Sequence, residues 1–443
     1  DGFIGNFTVQ IRKRARKIDT ELCTGCGVCQ EKCPKKVVDD VYEVGMAKRK
    51  AVYTPFPQAV PKYPVIDVDN CTYYKTGKCK ACEIFCPTGA IDFDQEDEIL
   101  KVEVGNIILA TGYDLFDCRR IPEYGYGRLP NVLSSLEFER MTNVSGPTAG
   151  KVLLKDGRVP EVVGIVHCVG SRDKNYNNYC SSICCMQSLK FAHLVKEKTG
   201  AQVYNFYIDM RTAAKTYDEF YQRVLAEGTV FVRGRVADIS EVAHSPEEKG
   251  KLVIQVYDTL EGAQRRIPVD MVILSAALEP RKDAAAMSKV FGIACSSDGW
   301  LIERHPKLDP IATMTDGVFI AGCAQGPKDI PNSVGQGAAA AARVMGLIGR
   351  ERVSLEPVRA VINASQCSGC RICNTMCPFN AIRYLEDQGI SEVNQALCQG
   401  CGTCVAACPA GAISGTHFSN EQILAQIEGI LSVDYLPETL STD

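Results

Sequence analysis

Four runs of cysteine, each closing on Cys-Pro, set the terms on which this chain can fold. "CTGCGVCQEKCP" holds Cys23, Cys26, Cys29 and Cys33, and "CTYYKTGKCKACEIFCP" holds Cys71, Cys79, Cys82 and Cys86. "CSGCRICNTMCP" holds Cys367, Cys370, Cys373 and Cys377, and "CQGCGTCVAACP" holds Cys398, Cys401, Cys404 and Cys408. Three of them follow C-x2-C-x2-C-x3-C-P without departure; in the second, seven residues rather than two separate Cys71 from Cys79. The chain carries 23 cysteines in 443 residues, an odd number in a long chain. Its opening, "DGFIGNFTVQIRKRARK", has no apolar stretch of the kind a signal peptide needs. A disulfide scaffold is therefore disfavoured, and thiolate ligation of metal is favoured. Structural zinc takes isolated CxxC pairs in tetrahedral sites, not a triple repeat ending in Cys-Pro.

The three regular runs resemble the bacterial two-cluster ferredoxins. There, three thiolates of a run wrap one [4Fe–4S] cubane, and the fourth, turned by the proline, ligates the neighbouring one. The resemblance implies four clusters. Cys23, Cys26, Cys29 and Cys86 hold the first; Cys71, Cys79, Cys82 and Cys33 hold the second. Cys367, Cys370, Cys373 and Cys408 hold the third; Cys398, Cys401, Cys404 and Cys377 hold the fourth. Cys71, across the longer loop, is the least regular of these ligands. The two modules lie at about 18–98 and 360–416, as two copies rather than a solenoid.

Between them the chain has another character. Its 46% hydrophobic and 23% charged content and net charge of -4 are ordinary for globular domains and give nucleic acid no footing. No apolar run reaches the roughly 18 residues that a membrane span needs. "ILKVEVGNIILATGYDLFD" alternates, turns apolar, and ends in Ala110-Thr111-Gly112, which resembles the loop that disulfide-reductase-like flavoproteins place against FAD. "TMTDGVFIAGCAQGPKDIPNSVGQGAAAAARVM" resembles the closing motif of the same flavoproteins, with Gly322 followed by Cys323 where they carry aspartate. A helix is expected to start over Ser333, Val334, Gly335 and Gln336. Its free N–H groups and positive dipole end would suit the N1–O2 edge of a flavin. The G-x-G-x-x-G that would hold the ADP half of FAD is missing. The chain opens on Asp1 rather than Met, so that half is expected upstream or on another polypeptide. A second Rossmann-type half runs from "EVVGIV" to "VDMVILSAALEP", with "AQVYNFYIDMR" and "GTVFVRG" as further strands and "KLVIQVYDT" in a connecting sheet.

Where that half should carry a glycine-rich phosphate loop stands "HCVGSRDKNYNNYCSSICC". Cys168 ends the strand, and Cys180, Cys184 and Cys185 are expected to open the following helix. Buried free thiols or a redox disulfide are the plain reading; a fifth [4Fe–4S] site is the reading favoured beside four others. His167 is expected to pack rather than ligate, and Cys118 and Cys295 to be structural. With ferredoxin modules on both sides, "CVGSRD" and "YCSSICCMQSLK" make the chain resemble the A subunit of heterodisulfide reductase along nearly its whole length. The resemblance implies FAD, several [4Fe–4S] clusters including one on such a cysteine set, and an N-terminal region absent here. It implies an electron-transfer flavoprotein subunit that bifurcates electrons between a low-potential ferredoxin branch and a higher-potential disulfide branch. Implied partners are polypeptides like the B and C subunits of heterodisulfide reductase, a hydrogenase- or formate-dehydrogenase-type donor, ferredoxin and a second protomer, in an anaerobic cytoplasm. Alternatives are service in a complex resembling class II benzoyl-CoA reductase, and a passive cluster wire without flavin chemistry. An NADPH-dependent reductase is disfavoured by the missing glycines.

The expected fold is α/β: a thioredoxin-reductase-like double Rossmann-type flavoprotein core with two α+β ferredoxin modules. Its segments would be an inserted ferredoxin module at 1–98, part of the FAD-binding domain at 99–160, and the second Rossmann-type domain with the four-cysteine site at 161–280. The closing part of the FAD-binding domain (281–358), the C-terminal ferredoxin module (359–416) and a tail (417–443) would follow. Along the helix that opens at Cys184 and continues as "MQSLKFAHLVKEK", Leu194, Phe191, Cys184 and Val195 form one apolar arc at about 100° per residue, and Lys190 falls roughly 40° beyond Leu194. The family resemblance places Lys190 near flavin N5; the plain alternative is a border lysine paired with Glu197.

Overall fold

The computed structural model describes residues 1–349 and 357–432. Residues 350–356 of the expected 281–358 segment and 433–443 of the expected tail lie outside the described residues. The chain leaves on strand β1 (Asn6–Lys13) and returns on β2 (Glu98–Val104), paired antiparallel from Phe7↔Val104 to Lys13↔Glu98. The first ferredoxin module hangs between these strands. Its neck is closed by Lys17 N–H to Gln95 Oε1 (2.7 Å) and Ala15 N–H to Asp97 Oδ1 (2.9 Å). Inside the module lie three short helices, among them α1 (Val28–Lys32) and α2 (Ala81–Ile84).

Strands β3 (Ile107–Leu109) and β4 (Tyr113–Leu115) follow, then β5 (Val132–Ser134) and α3 (Ser135–Thr142). Ser134 and Glu137 form a reciprocal capping box that fixes the start of α3. From α3, Arg140 reaches Glu43 of the ferredoxin module (Nη2 to Oε1, 2.8 Å) and stacks 4.1 Å over Tyr42. The pair is nearly buried, with 9% and 13% of the side chains exposed. Losing one partner of such a pair strands the other charge, so Arg140→Ala is expected to cost about 3 kcal/mol. The check is a urea titration, in which the Arg140→Ala, Glu43→Ala double variant should recover part of the loss.

The second half is a five-stranded parallel sheet built from β5, β6 (Val162–Val169), β7 (Gln202–Tyr207), β8 (Val230–Arg233) and β12 (Met271–Ala276), in the order β5-β12-β6-β7-β8. Helices α3, α4 (Cys184–Thr199) and α5 (Tyr217–Ala226) cover one face, through Phe138, Leu189, Phe191, Val195 and Val224. The antiparallel β9 (Val236–Ser240), β10 (Leu252–Asp258) and β11 (Ala263–Val269) cover the other. Burial on both faces explains the near-continuous apolar runs of β6 and β12. Gly164 sits in β6 because a Cβ there would meet Ile254 Cδ1 at 2.5 Å, so glycine lets the second sheet close down.

The chain then pairs β13 (Leu278–Pro280) with β4 and β14 (Val318–Ile320) with β3, the latter parallel. Helix α6 (Ile330–Ile348) follows. The last module contains β15 (Ala360–Ile362), α7 (Ile372–Met376), β16 (Ile382–Leu385), β17 (Ile390–Val393), α8 (Thr403–Ala407) and β18 (Ile413–Gly415), then helix α9 (Asn420–Leu431). Among the described residues no helix is long and apolar enough to cross a membrane.

Candidate iron–sulfur and flavin site

The C-x2-C-x2-C geometry is a matter of two left-handed residues. The glycine before the second cysteine has φ +68 at Gly25, +68 at Gly369 and +64 at Gly400. The residue after it has φ +81 at Gly27, +63 at Arg371 and +74 at Gly402. This double reversal turns three thiols inward around one point before α1, α7 and α8 carry the chain away. At Gly369 and Gly400 a side chain is also barred by space, because a Cβ would lie 2.3 Å from the carbonyl oxygens of Gly389 and Val358 respectively.

The thiols assemble in sets. Cys23, Cys26, Cys29 and Cys86 line one small void, and Cys367, Cys370, Cys373 and Cys408 another. Cys377, Cys398, Cys401 and Cys404 line a larger cavity of about 420 Å³. Cys33, Cys71 and Cys82 are buried together; burial first, then the neighbouring Cys71 and Cys33, pushes the Cys82 thiol up to about 12. Cys71 is thus well seated, and the extra residues after it are taken up by a helical turn at Thr72–Thr76; Cys79 lies half-buried on the approach to α2. Backbone N–H groups point at the sulfurs, from Ala90 to Cys86 (3.3 Å), Ala381 to Cys377 (3.3 Å) and Ala360 to Cys398 (3.4 Å). Such donors stabilise anionic thiolates and tune a cluster. Among the described residues no three metal-binding side chains close on a single ion. A cubane suits these wider sets, because its four irons hold their thiolates apart.

The cysteines of the Rossmann-type half also meet. At the end of β6 the pairing with β12 shifts register between Val166 and Val169, and Cys168 takes φ +56. This lifts its thiol onto that of Cys184, and the hydrogen bond between them draws Cys168 down and pushes Cys184 up. Burial pushes Cys185 up to about 11, with Cys168 and Cys180 adding to it. Cys184 and Cys185 occupy the first turn of α4, as expected, but Cys180 does not open the helix. It sits four residues earlier on the loop, because Ser181 is pinned by Leu278 N–H to its Oγ (3.0 Å) and Ser182 turns back at φ +60. The loop is tied further by Arg172 N–H to Tyr179 O (2.9 Å) and Tyr179 OH to Leu278 O (2.9 Å). His167 bonds Asn205 (2.9 Å) and is driven down to about 4 by burial. Cys118 is a fully buried thiol, and Cys295 lies half-buried on Ala284. Sequence reasoning missed Arg172 and Arg235, whose charges reach Cys168; "GSRDK" and "VRGR" offered no spacing to mark them.

For a flavin the structure brings two of the expected loops side by side. Parallel β3 and β14 end together, so Ala110-Thr111-Gly112 and Gly322-Cys323 are neighbours, with Ala321 N–H on Leu109 O (3.0 Å). Cys323 faces the Lys328 carbonyl (3.4 Å) and Ser333. The helix starts earlier than expected: Asp329 caps it through Asn332 N–H (2.9 Å), and Pro331 lies in its first turn. The Ser333 N–H is already bonded to the Asp329 carbonyl (3.0 Å), so Ser333, Val334, Gly335 and Gln336 lie past the free end. A cavity of about 350 Å³ joins this helix start, through Lys328, Asp329 and Asn332, to Cys180, Met186 and Tyr217 across the gap. Burial lowers the Lys328 ammonium, and Tyr217 OH bridges to Asp329 (3.1 Å). Gln336 Oε1 is a buried acceptor without a partner. These groups fit the ring end of a flavin; nothing in the described residues forms a cradle for its ADP. Lys190 is directed elsewhere: its Nζ holds Glu139 on α3 (2.6 Å), not Glu197.

Comparison with known proteins decides the family. Residues 360–418 match the 4Fe-4S dicluster domain family and residues 16–39 the 4Fe-4S binding domain family, so the two modules bind [4Fe–4S] clusters. Over 436 residues the chain is 47% identical to the A subunit of the H(2):CoB-CoM heterodisulfide,ferredoxin reductase of Methanothermobacter marburgensis, covering 98% of this chain and 64% of that one. It is 46% identical to the iron-sulfur A subunit of the CoB--CoM heterodisulfide reductase of Methanocaldococcus jannaschii, covering 97% and 65%. The chain belongs to the family of heterodisulfide reductase A subunits. It spans just under two thirds of the length of these relatives. A thioredoxin reductase structure from T. acidophilum is similar at TM-score 0.36 and 15% identity, over 56% of this chain and 68% of that one, too loose a likeness to bear on function.

Proposed function

We propose that the chain is the iron–sulfur flavoprotein part of a heterodisulfide-reductase-like oxidoreductase complex, carrying five [4Fe–4S] clusters and one edge of an FAD site. The observation that carries this reading is the cavity with Cys180 and Met186 on one wall and the start of α6 on the other. A flavin ring held there would lie against the four-cysteine site, with a ferredoxin module on each side of it in the sequence. Bound FAD supplies exchange between paired and single electrons. The chain's own residues seat it: Ala110, Thr111, Gly112, Gly322 and Cys323 on the paired loops, and Asp329 with Ser333 to Gln336 at the head of α6. The ADP-binding portion, the final donor and acceptor, and partners like the B and C subunits, a hydrogenase or formate dehydrogenase, ferredoxin and a second protomer belong to the wider complex. Division of electron pairs between a low- and a high-potential branch is the mode this wiring serves. Anaerobic stopped-flow reduction of the flavin-loaded complex tests it: flavin and cluster absorbance should change together, and clusters that reduce while flavin bleaching plays no part would sink it. That result would instead favour a passive cluster wire, the reading that Cys323 in place of aspartate supports.

Lys190 belongs to the same proposal. It stands one turn beyond Met186, a residue that lines the cavity. Its bond to Glu139 joins side chains 45% and 41% exposed. Such a pair is worth no more than about 1 kcal/mol, so the ammonium is cheaply released to a flavin edge. Lys190→Ala is expected to shift the flavin midpoint potential with iron content constant. An unchanged flavin titration would leave Lys190 as the partner of Glu139 alone.

A further inference from the structure

An open cavity of about 410 Å³ lies at the carboxyl ends of β6, β7 and β8, lined by Arg172, Asp209, Arg233, Arg235 and Thr259 among others. That end of a parallel sheet is where α/β folds take ligands. The cavity lining holds three guanidinium groups and one carboxylate, Asp209. Asp209 holds Arg172 (2.6 Å) and, more loosely, Arg233 (3.5 Å). Arg235 pairs with Asp173 and donates to the Arg172 carbonyl (2.6 Å). Each guanidinium has five N–H donors, so these bonds leave donors over for the cavity. The Arg233 and Arg235 side chains are 46% and 42% exposed, open to a ligand from solvent. Planar, permanently charged forks of this kind match phosphate oxygens in pairs. The lone carboxylate at the end of β7 is placed to accept a hydroxyl, which suits a sugar phosphate as well as phosphate itself. A dinucleotide is not accommodated in the usual way, because the turn after β6 that would cradle its pyrophosphate presents Cys168 instead of close-approach glycines. Arg172 lies four residues beyond Cys168 on the same turn, which Ser171 N–H closes on the Cys168 carbonyl (3.2 Å), and its positive charge reaches that thiol.

We propose that this pocket binds a phosphate-bearing anion and that Arg172 passes its occupancy on to the four-cysteine site. The binding stands by itself; the coupling rests on the reading of that site as a cluster. The experiment is calorimetry on the anaerobically purified holoprotein, titrated with inorganic phosphate and separately with ADP. Saturable binding is expected, weakened roughly tenfold or more in Arg233→Gln and in Arg235→Gln, with iron content unchanged. Tighter binding of ADP assigns the carboxylate to a ribose hydroxyl; equal binding assigns the pocket to the phosphate group alone. No saturable binding of either probe, or both variants binding like the parent, overturns the pocket. An EPR redox titration then reads the coupling. Anion bound to Arg172 withdraws positive charge from Cys168, so the midpoint of the signal that is lost in Cys168→Ala should fall. Saturated binding with an unmoved midpoint overturns the coupling. Absence of any Cys168-dependent signal overturns the cluster reading and the coupling with it, while the calorimetry still decides the pocket.

Discussion

Cys168→Ala is expected to strip about four of about twenty iron atoms from the anaerobically purified protein, and to do so without unfolding it. Each cubane brings four irons, and three remaining cysteines do not replace a fourth that the framework fixes. The backbone gives no reason for collapse: Cys168 already sits at φ +56, where alanine is no more strained than cysteine. Cys118→Ala is the control, since that thiol is equally buried but lies among Phe116, Ile121 and Val132 rather than beside other sulfurs. Iron per chain by elemental analysis, with EPR of the reduced protein, makes the comparison. Equal iron in parent and Cys168→Ala would reduce Cys168, Cys180, Cys184 and Cys185 to a cluster of free thiols.

Gly170→Ala is expected to cost about 2–4 kcal/mol, through two terms that can be separated. The first is backbone strain, because Gly170 has φ +80. The second is collision: a Cβ there would lie 2.4 Å from Cγ of Phe116, a buried ring stacked edge-on with Tyr176 at 5.2 Å. Gly157 has φ +87 and nothing within 4 Å of its Cβ position, so Gly157→Ala should show the strain alone, about 1 kcal/mol. Urea titrations of the two variants give the difference. Equal losses would mean that Phe116 moves aside freely and that the turn after Cys168 is not clamped. Iron content should fall in Gly170→Ala as well, because the same turn aims Cys168.

What could be read in advance was what is local in the chain. Ligand spacing and the Cys-Pro turn act within a dozen residues, so the two ferredoxin modules were legible from sequence. The parallel strands were legible for the same reason: burial on both faces writes itself as an apolar run. The start of α6 was misplaced although its signal was present: Asp329 and Pro331 are an N-cap and a first-turn proline. The pull of "NSVGQG" toward the expected flavin contact hid them. The Lys190 partner was illegible for a physical reason. Glu139 is 51 residues away in sequence and arrives only when α3 packs beside α4. Arg235 reaches Cys168 in the same way, from the turn after β8, whereas Arg172 stands only four residues along the same loop.

Of the four thiols in the Rossmann-type half, Cys168, Cys184 and Cys185 are buried in strand and helix, and Cys180 alone stands partly open to solvent on its loop. The division bears on how such a centre is made and repaired. If the four thiols hold a cluster as proposed, the three fixed sulfurs would form a socket ahead of the iron, unlike a zinc finger, which folds around its metal. The loop with Cys180 is then the latch: a carrier delivering a preformed cluster would be met first by the exposed thiol, and would surrender its cargo to the three behind it. Oxidative damage should run the same route backwards, with Cys180 the first ligand lost.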